Sequence, residues 1–161
     1  MANRQITQVN NPQQAMVAKA FFDLTALNPV GASDVVKSGV YIPEGALITR
    51  AWYHVHTTLT GGGSDAAAPK LGITSNDDQF VASIAISATG DIWDAGARGT
   101  LINNPAIAVG AVTAIVNAAG RAGTMVAVTV DEEIILTNVT NTITAGKITV
   151  YVEYVQTGVL A

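Results

Sequence analysis

The stretch that decides the fold spans residues 42–60 and is IPEGALITRAWYHVHTTLT. Pro43-Glu44-Gly45 predicts a turn, because proline presets φ and glycine tolerates a positive φ. The residues that follow, 46–60, predict an unusually long β-strand. This strand also carries both histidines of the chain, as His54-Val55-His56.

Residues two apart in a strand share a face, so the long strand has an odd-numbered and an even-numbered face. The odd-numbered face, from Leu47 to Leu59, is uncharged and largely apolar, and we expect it to point into the core. The even-numbered face is expected to point away from the core and consists of Ile48, Arg50, Trp52, His54, His56 and Thr58. Trp and Arg are frequent anchors of protein interfaces. This face therefore predicts a contact surface, covered either by another subunit or by a loop of the same chain within 88–123.

The rest of the chain also favours strands over helices. Additional strands are predicted over 15–27, 34–42 with a break at Gly39, 70–74, 79–87, 124–130, 133–138 and 147–155. The segment 60–69 predicts a flexible loop, a turn with Gly146 precedes the last strand, and 88–123 is irregular with a short strand most favoured at 111–117. These features predict an all-β fold: a β-sandwich, in the form of a jelly roll of about eight antiparallel strands. An immunoglobulin-like sandwich is the alternative, and the strand order is left open.

The N-terminal residues predict an arm rather than a folded element. Residues 1–15 are rich in Asn and Gln and have little to bury, so we divide the chain into this extended arm and a single sandwich domain over 16–161. The arm lacks the apolar core of a signal peptide. Arg4, Gln5, Ile6 and Val9 are its candidate interface residues.

The composition points to a surface shared with other chains. Charged residues make up 12% of the 161 residues, whereas about a quarter is usual. A net charge of −4 with scattered basic residues argues against nucleic-acid binding. The most apolar run, 106–116, is too short to cross a membrane, which takes about 20 residues.

A metal site of the cupin type is one interpretation of the His pair, and it would need both imidazoles inside the barrel, a nearby Glu and a third His. The sequence has only two His and no Glu shortly after them. Its acids, including Asp131-Glu132-Glu133, are expected at solvated loops or hairpin tips. Cys is absent, and no nucleophile elbow or phosphate loop occurs. We therefore predict no metal, no cofactor and no enzymatic activity.

Trp93 lies in the glycine-rich segment GDIWDAGARG, 90–99. An aromatic side chain in such a segment anchors it either onto its own core or onto a neighbouring chain. Both alternatives stay open, and Trp93 joins the candidate interface residues.

A polar arm, the strand PEGALITRAWYHVHTTL, a short KLGI strand and a closing AGKITVYVEYV strand form a familiar pattern. Over roughly 40–87 and 144–156 it resembles small β-sandwich structural proteins of tailed bacteriophages, particularly capsid decoration (cement) proteins. The resemblance implies a homotrimer on the outer surface of the virion that ties neighbouring major capsid subunits together, with arms laid across a neighbour. A tail or head-fibre protein, or a jelly-roll module that binds carbohydrate or a receptor, is the alternative.

Overall fold

The computed structural model of the protein describes residues 15–27, 29–88, 92–100 and 126–156. The elements are β1 (Ala15–Asp23), β2 (Val35–Ile42), β3 (Ala46–Gly61), the single turn α1 (Gly62–Asp65), β4 (Pro69–Ile73), β5 (Asn76–Val81), β6 (Arg98–Thr100), β7 (Val126–Ala127), β8 (Glu132–Asn138) and β9 (Ile143–Gln156). The dominance of strands in these ranges confirms the all-β prediction. In the same ranges, no helix is long and apolar enough to span a bilayer.

The strands form two antiparallel sheets. Sheet A has the order β1-β9-β3, with β6 and the short β7 both paired to the other edge of β3, and sheet B has the order β2-β8-β4-β5. The pairs are nested: β1 pairs with β9, β2 with β8, β3 with β6 and β4 with β5. Rolling up one long hairpin produces this nesting, which is the arrangement of a jelly roll. The jelly roll is therefore confirmed, and the immunoglobulin-like alternative, which needs a different strand order, is wrong.

The core lies between the sheets and follows the two-residue period of the strands. Sheet A contributes Ala18, Ala20, Phe22, Ala51, Tyr53, Val55, Ile148, Val150 and Val152, and sheet B contributes Leu71, Ile73, Phe80, Ile134 and Leu136. Because β9 lies between β1 and β3, its inward side chains meet those of both neighbours. The outward side chains of the same three strands are thereby brought together on the opposite face of sheet A.

The predicted faces of β3 are correct from Ala51 to Val55 and at Leu59, but not at the start of the strand. Ala51, Tyr53 and Val55 point inward as expected, but Ile48 is fully buried and Leu47 only partly so. The register against β9 shifts between Ile48 and Arg50, where β3 carries one extra residue. Because of the extra residue, even-numbered side chains point inward before the bulge and odd-numbered ones point inward after it. A prediction that continues one two-residue alternation through the whole strand cannot detect this change.

Several other predictions can be compared with the strand bounds. The strand after residue 15 is confirmed, as is the break at Gly39, which has φ of 71° and lies at a register shift of β2. The turn at Pro43–Gly45 is confirmed, with Gly45 at φ 76°.

Several boundaries differ from the prediction. The strand predicted over 79–87 begins at Asn76 and ends at Val81. Gly146 lies inside β9 rather than in the turn before it, and the segment after residue 60 continues as strand to Gly61 and then forms α1. The strand favoured at 111–117 lies outside the described residues.

Two acids expected at solvated hairpin tips are buried instead. Glu132 and Glu133 are each 4% exposed at the start of β8. Glu132 accepts a hydrogen bond from the Ser75 amide at 2.9 Å, and Glu133 accepts one from the Gly39 amide at 2.8 Å. The prediction was wrong because these carboxylates satisfy backbone donors that the irregularities in neighbouring segments leave unpaired.

Candidate interface on the outer face of sheet A

The outward side chains of sheet A form rows across its strands. The rows, taken from β1 through β9 to β3 and β6, are Val17, Glu153 and Arg50; then Lys19, Tyr151 and Trp52; then Phe21, Thr149, His54 and Arg98. His56 follows the third row, at a second irregularity of β3. We call this set the outer face of sheet A. The structure thus gathers four of the predicted interface residues, Arg50, Trp52, His54 and His56, on one surface.

Aromatic rings and cations form a ladder across the middle of this face. The rings of Trp52 and Tyr151 stack with centroids 5.3 Å apart and planes 8° from parallel. The Arg50 guanidinium lies 4.8 Å from the Trp52 ring centre, and the Lys19 amine lies 5.9 Å from that of Tyr151. Each contact is of the kind that stabilises exposed sites by about 0.5–1.5 kcal/mol. Together they hold long side chains in fixed positions at the surface.

The two imidazoles lie side by side at the third row. Their ring centres are 4.4 Å apart, and the ring of Phe21 lies 6.1 Å from that of His56. His56 Nε2 is hydrogen-bonded to the Thr149 hydroxyl at 2.7 Å. Burial lowers the pKa of His54 below its ordinary value, and the adjacent His56 and Arg98 lower it further. Loss of solvation and nearby positive charge both favour the neutral ring.

The position of the His pair differs from that of a cupin metal site. Both rings lie on the outside of the sandwich rather than between its sheets. In the part of the chain that the structure describes, no group of three His, Cys, Asp or Glu residues could hold a metal ion. Two imidazoles alone provide too few ligands for the usual four-coordinate site.

A shallow depression of about 410 Å³ opens beside the ladder. Its lining consists of Trp52, Tyr53, His54, Arg98, Gly99 and Tyr151. A side chain at Gly99 would overlap the ring of Tyr53, which is buried and donates a hydrogen bond from its hydroxyl to the Ile92 carbonyl at 3.2 Å. Burial raises the pKa of Tyr53 to about 12. The lining of the depression therefore includes the fixed, neutral ring of Tyr53, with His54 and Arg98 beside it.

Trp93 does not belong to this surface. It is 2% exposed, its ring centre is 6.0 Å from that of Tyr53, and its indole N–H donates to the Ile84 carbonyl at 3.1 Å. The structure therefore decides between the two alternatives: Trp93 anchors its segment onto its own core, and it is removed from the candidate interface. Arg4, Gln5, Ile6 and Val9 lie outside the described residues.

Sequence reasoning missed several residues of the outer face, namely Lys19, Phe21, Arg98, Thr149 and Tyr151. The alternation in KITVYVEYV, 147–155, already separates Tyr151 and Glu153 from the apolar side chains between them. Their position beside Trp52 and Arg50 depends on β9 pairing with β3. Because Arg50 and Glu153 are 103 positions apart in the chain, no local pattern indicates that pairing.

Comparison with known proteins supports the fold assignment. No family model and no curated protein matches the sequence. The structure is similar to a chain in "Cyanophage Pam1 capsid asymmetric unit", with a TM-score of 0.57 and 13% identity, over 88% of this chain and 84% of that one. The structure is also similar to a chain in "Capsid of Ralstonia phage GP4", with a TM-score of 0.56 and 16% identity, over 90% of this chain and 86% of that one.

A third similar chain belongs to "Acidic stable capsid structure of Helicobacter pylori bacteriophage KHP30", with a TM-score of 0.54 and 13% identity, over 88% of this chain and 86% of that one. The fold is one found in phage capsids. At such low identity the likeness establishes shared architecture and not a shared role.

Proposed function

We propose that this protein is a structural, non-enzymatic component of a phage virion that decorates the capsid and stabilises it by bridging major capsid subunits. The observation that carries the proposal is the similarity of nearly the whole chain to chains of three phage capsids. The alignments cover similar shares of both partners, so those chains are close to this one in length. A small jelly roll of this kind suits a component that binds to a shell.

The outer face of sheet A supports the bridging role. It presents ordered aromatic and cationic side chains, the types that anchor protein interfaces. Trp52 and Tyr151 are already stacked, so little side-chain entropy remains to be lost when a partner covers them. We propose Arg50, Trp52, His54 and His56 as contacts to a capsid subunit.

The proposed assembly is a homotrimer on the outer surface of the shell. Three copies would carry three arms and three outer faces, and weak contacts would become firm through multivalency. Sedimentation equilibrium should give a mass three times the 16.5 kDa of one chain. A purely monomeric particle at micromolar concentration would contradict the trimer.

The test of the function is co-sedimentation of the purified chain with empty shells of the phage that encodes it. Wild type should saturate the shells, and Trp52→Ala should weaken binding at least tenfold. The matched control is Tyr41→Ala, which removes an aromatic ring that is 56% exposed on sheet B. Absence of wild-type binding, or equal losses in both variants, would count against the proposal.

The arm is tested separately by deleting residues 2–14. Because β1 begins at Ala15, the deletion leaves every described strand in place. We expect an unchanged unfolding midpoint and weaker attachment to shells. Attachment equal to that of wild type would exclude the arm from the interface.

Carbohydrate or receptor binding is the second candidate, favoured by the depression beside Trp52 and Tyr151. The Tyr151 ring and the Arg50 guanidinium already lie against faces of the indole, which leaves less of it for a sugar to stack upon. A glycan array separates the two functions: specific glycan binding together with no affinity for shells would favour the receptor-binding module.

A further inference from the structure

The distribution of ion pairs singles out two cations. Six Lys and Arg residues lie in the described ranges, and four of them pair with acids: Lys37 with Glu133, Arg50 with Glu153, Lys70 with Asp77 and Lys147 with Asp23. The other two, Lys19 and Arg98, have no acidic partner among the described residues. Both are exposed, and both lie on the outer face of sheet A.

This face therefore has the opposite charge to the chain as a whole. Its three rows contain Lys19, Arg50 and Arg98 against the single acid Glu153, whose carboxylate is already held by Arg50 at 2.8 Å and by the Thr49 hydroxyl at 3.0 Å. Two positive charges remain uncompensated on a protein with a net charge of −4. Charge complementarity between surfaces sets the choice of partner and the rate of encounter.

The two cations without an acidic partner lie near the same depression, which Arg98 lines and Lys19 does not. The Lys19 amine leans over the ring of Tyr151, at 5.9 Å from its centre, and Arg98 lines the depression together with Tyr151. Lys19 and Arg98 lie on strands that are three spacings apart in sheet A, and they belong to adjacent rows. The distance between their Cα atoms is therefore roughly 16 Å. Because the amine leans inward, two carboxylates about four residues apart on one extended segment, which share a face and lie roughly 13 Å from each other, can reach both cations.

We infer that the depression lined by Trp52, Tyr151 and Arg98, together with Lys19 beside Tyr151, binds an acidic protein segment that carries two carboxylate side chains. The aromatic ladder supplies apolar contact area beside the two charges. Nucleic acid is disfavoured because its binding needs many clustered cations, whereas this face offers two. The inference rests on the proposed function only for the identity of the segment's owner, a capsid protein.

The direct test uses a hexaglutamate peptide as probe and two-dimensional NMR of the full chain at low salt. We expect saturable shifts of the Trp52 indole and of the amides of Lys19 and Arg98, reduced several-fold at 300 mM NaCl because salt screens exposed charges. Hexaglutamine should cause no shift. The absence of a saturable shift with hexaglutamate would overturn the inference, as would tighter binding of a thymidine hexanucleotide or of oligogalacturonate.

Charge-matched variants separate a specific site from general electrostatics. Lys19→Gln with Arg98→Gln should weaken hexaglutamate binding at least tenfold. The control, Lys37→Gln with Lys70→Gln, removes the same two charges from sheet B and should leave the affinity within twofold. Equal losses in the two double variants would overturn the inference.

Shell binding distinguishes failure of the inference from failure of the proposed function. If shells bind wild type and the Lys19→Gln, Arg98→Gln variant equally well, the acidic-segment inference is wrong and the decoration function stands. If hexaglutamate binds as expected and no shells bind, the site is supported and the decoration function is wrong.

Discussion

The indole of Trp52 and the phenol ring of Tyr151 stack 5.3 Å apart on adjacent strands of sheet A, with their planes 8° from parallel. They are directly opposite in the register between β3 and β9. Cross-strand aromatic pairs stabilise a sheet, and this one does so on the face that points away from the core. The pair therefore contributes both to the stability of the fold and to the proposed interface. Mutation of Trp52 allows the two contributions to be measured separately.

Trp52→Ala should destabilise the fold only modestly. The indole is partly exposed, so its loss removes one stacking contact and one contact with the Arg50 guanidinium, about 1–2 kcal/mol together. Urea unfolding measures this change. Trp93→Ala is the comparison: its buried ring and its hydrogen bond to Ile84 predict a loss of about 3–5 kcal/mol. A larger loss for Trp52 than for Trp93 would invert the assignment of the two residues to surface and core.

Glu133→Ala should destabilise the protein by about 1–3 kcal/mol, because the Gly39 amide would lose its acceptor at the irregularity of β2. Glu133→Gln should cost less, since an amide oxygen can still accept that bond. Denaturant unfolding measures both changes. Glu44→Ala, at an exposed acid in the turn before β3, is the control and should change stability by less than about 0.5 kcal/mol. A neutral Glu133→Ala variant would show that the bulge does not depend on this carboxylate.

Gly146→Ala should cost about 1–3 kcal/mol. Gly146 has φ of 142°, and a Cβ there would lie 2.7 Å from Cγ and Cδ1 of Leu59, whose side chain is buried. Gly62→Ala is the matched control, because its nearest contact, Thr142 Cβ, would be at 3.9 Å and its φ is not positive. Thermal unfolding should show a clear drop for the first variant and little change for the second. Similar midpoints would mean that β9 tolerates a side chain at this position.

The lowered pKa of His54 predicts a pH dependence of stability. A histidine with a lowered pKa in the folded state contributes stability that is fully present above its ordinary value of 6.5 and is lost as the pH falls from 6.5 toward the folded pKa. Urea unfolding between pH 5 and 8 should show this loss in wild type and a flatter profile in His54→Gln.

NMR titration checks the causes of that shift. The groups around His54 are Thr149 opposite it in the register, His56 beside it, and Arg98 on β6. Arg98→Gln should raise the pKa of His54 only part of the way to 6.5, because burial is the larger cause. A wild-type midpoint at or above 6.5 would contradict the assignment.

Local sequence was sufficient for those parts of the fold that depend on neighbouring residues. Pro43 and Gly45 specify their turn through their own backbone preferences, and Gly39 marks a break because it tolerates a positive φ. Ala51, Tyr53 and Val55 alternate with polar residues over a stretch without bulges, so their burial was predictable. The outward direction of Trp52 and His54 follows from the same stretch.

Bulges and buried acids were not predictable in this way. The extra residue between Ile48 and Arg50 is defined only against β9, and it exchanges the two faces of β3 at that point. Glu133 resembles a solvated turn acid in sequence, and its burial is explained by partners far away in the chain, among them the amide of Gly39, 94 positions away.

The sequence by itself determined that the chain forms strands, where several of them turn, and that few charges are available to keep its surface in water. Only the tertiary structure decided which strands are neighbours, and with them the stack of Trp52 on Tyr151, the burial of Trp93 and the placement of Lys19 and Arg98 on one face of sheet A. The physical reason is range: turns and alternation arise from adjacent residues, whereas strand pairing is selected by the packing of the whole core.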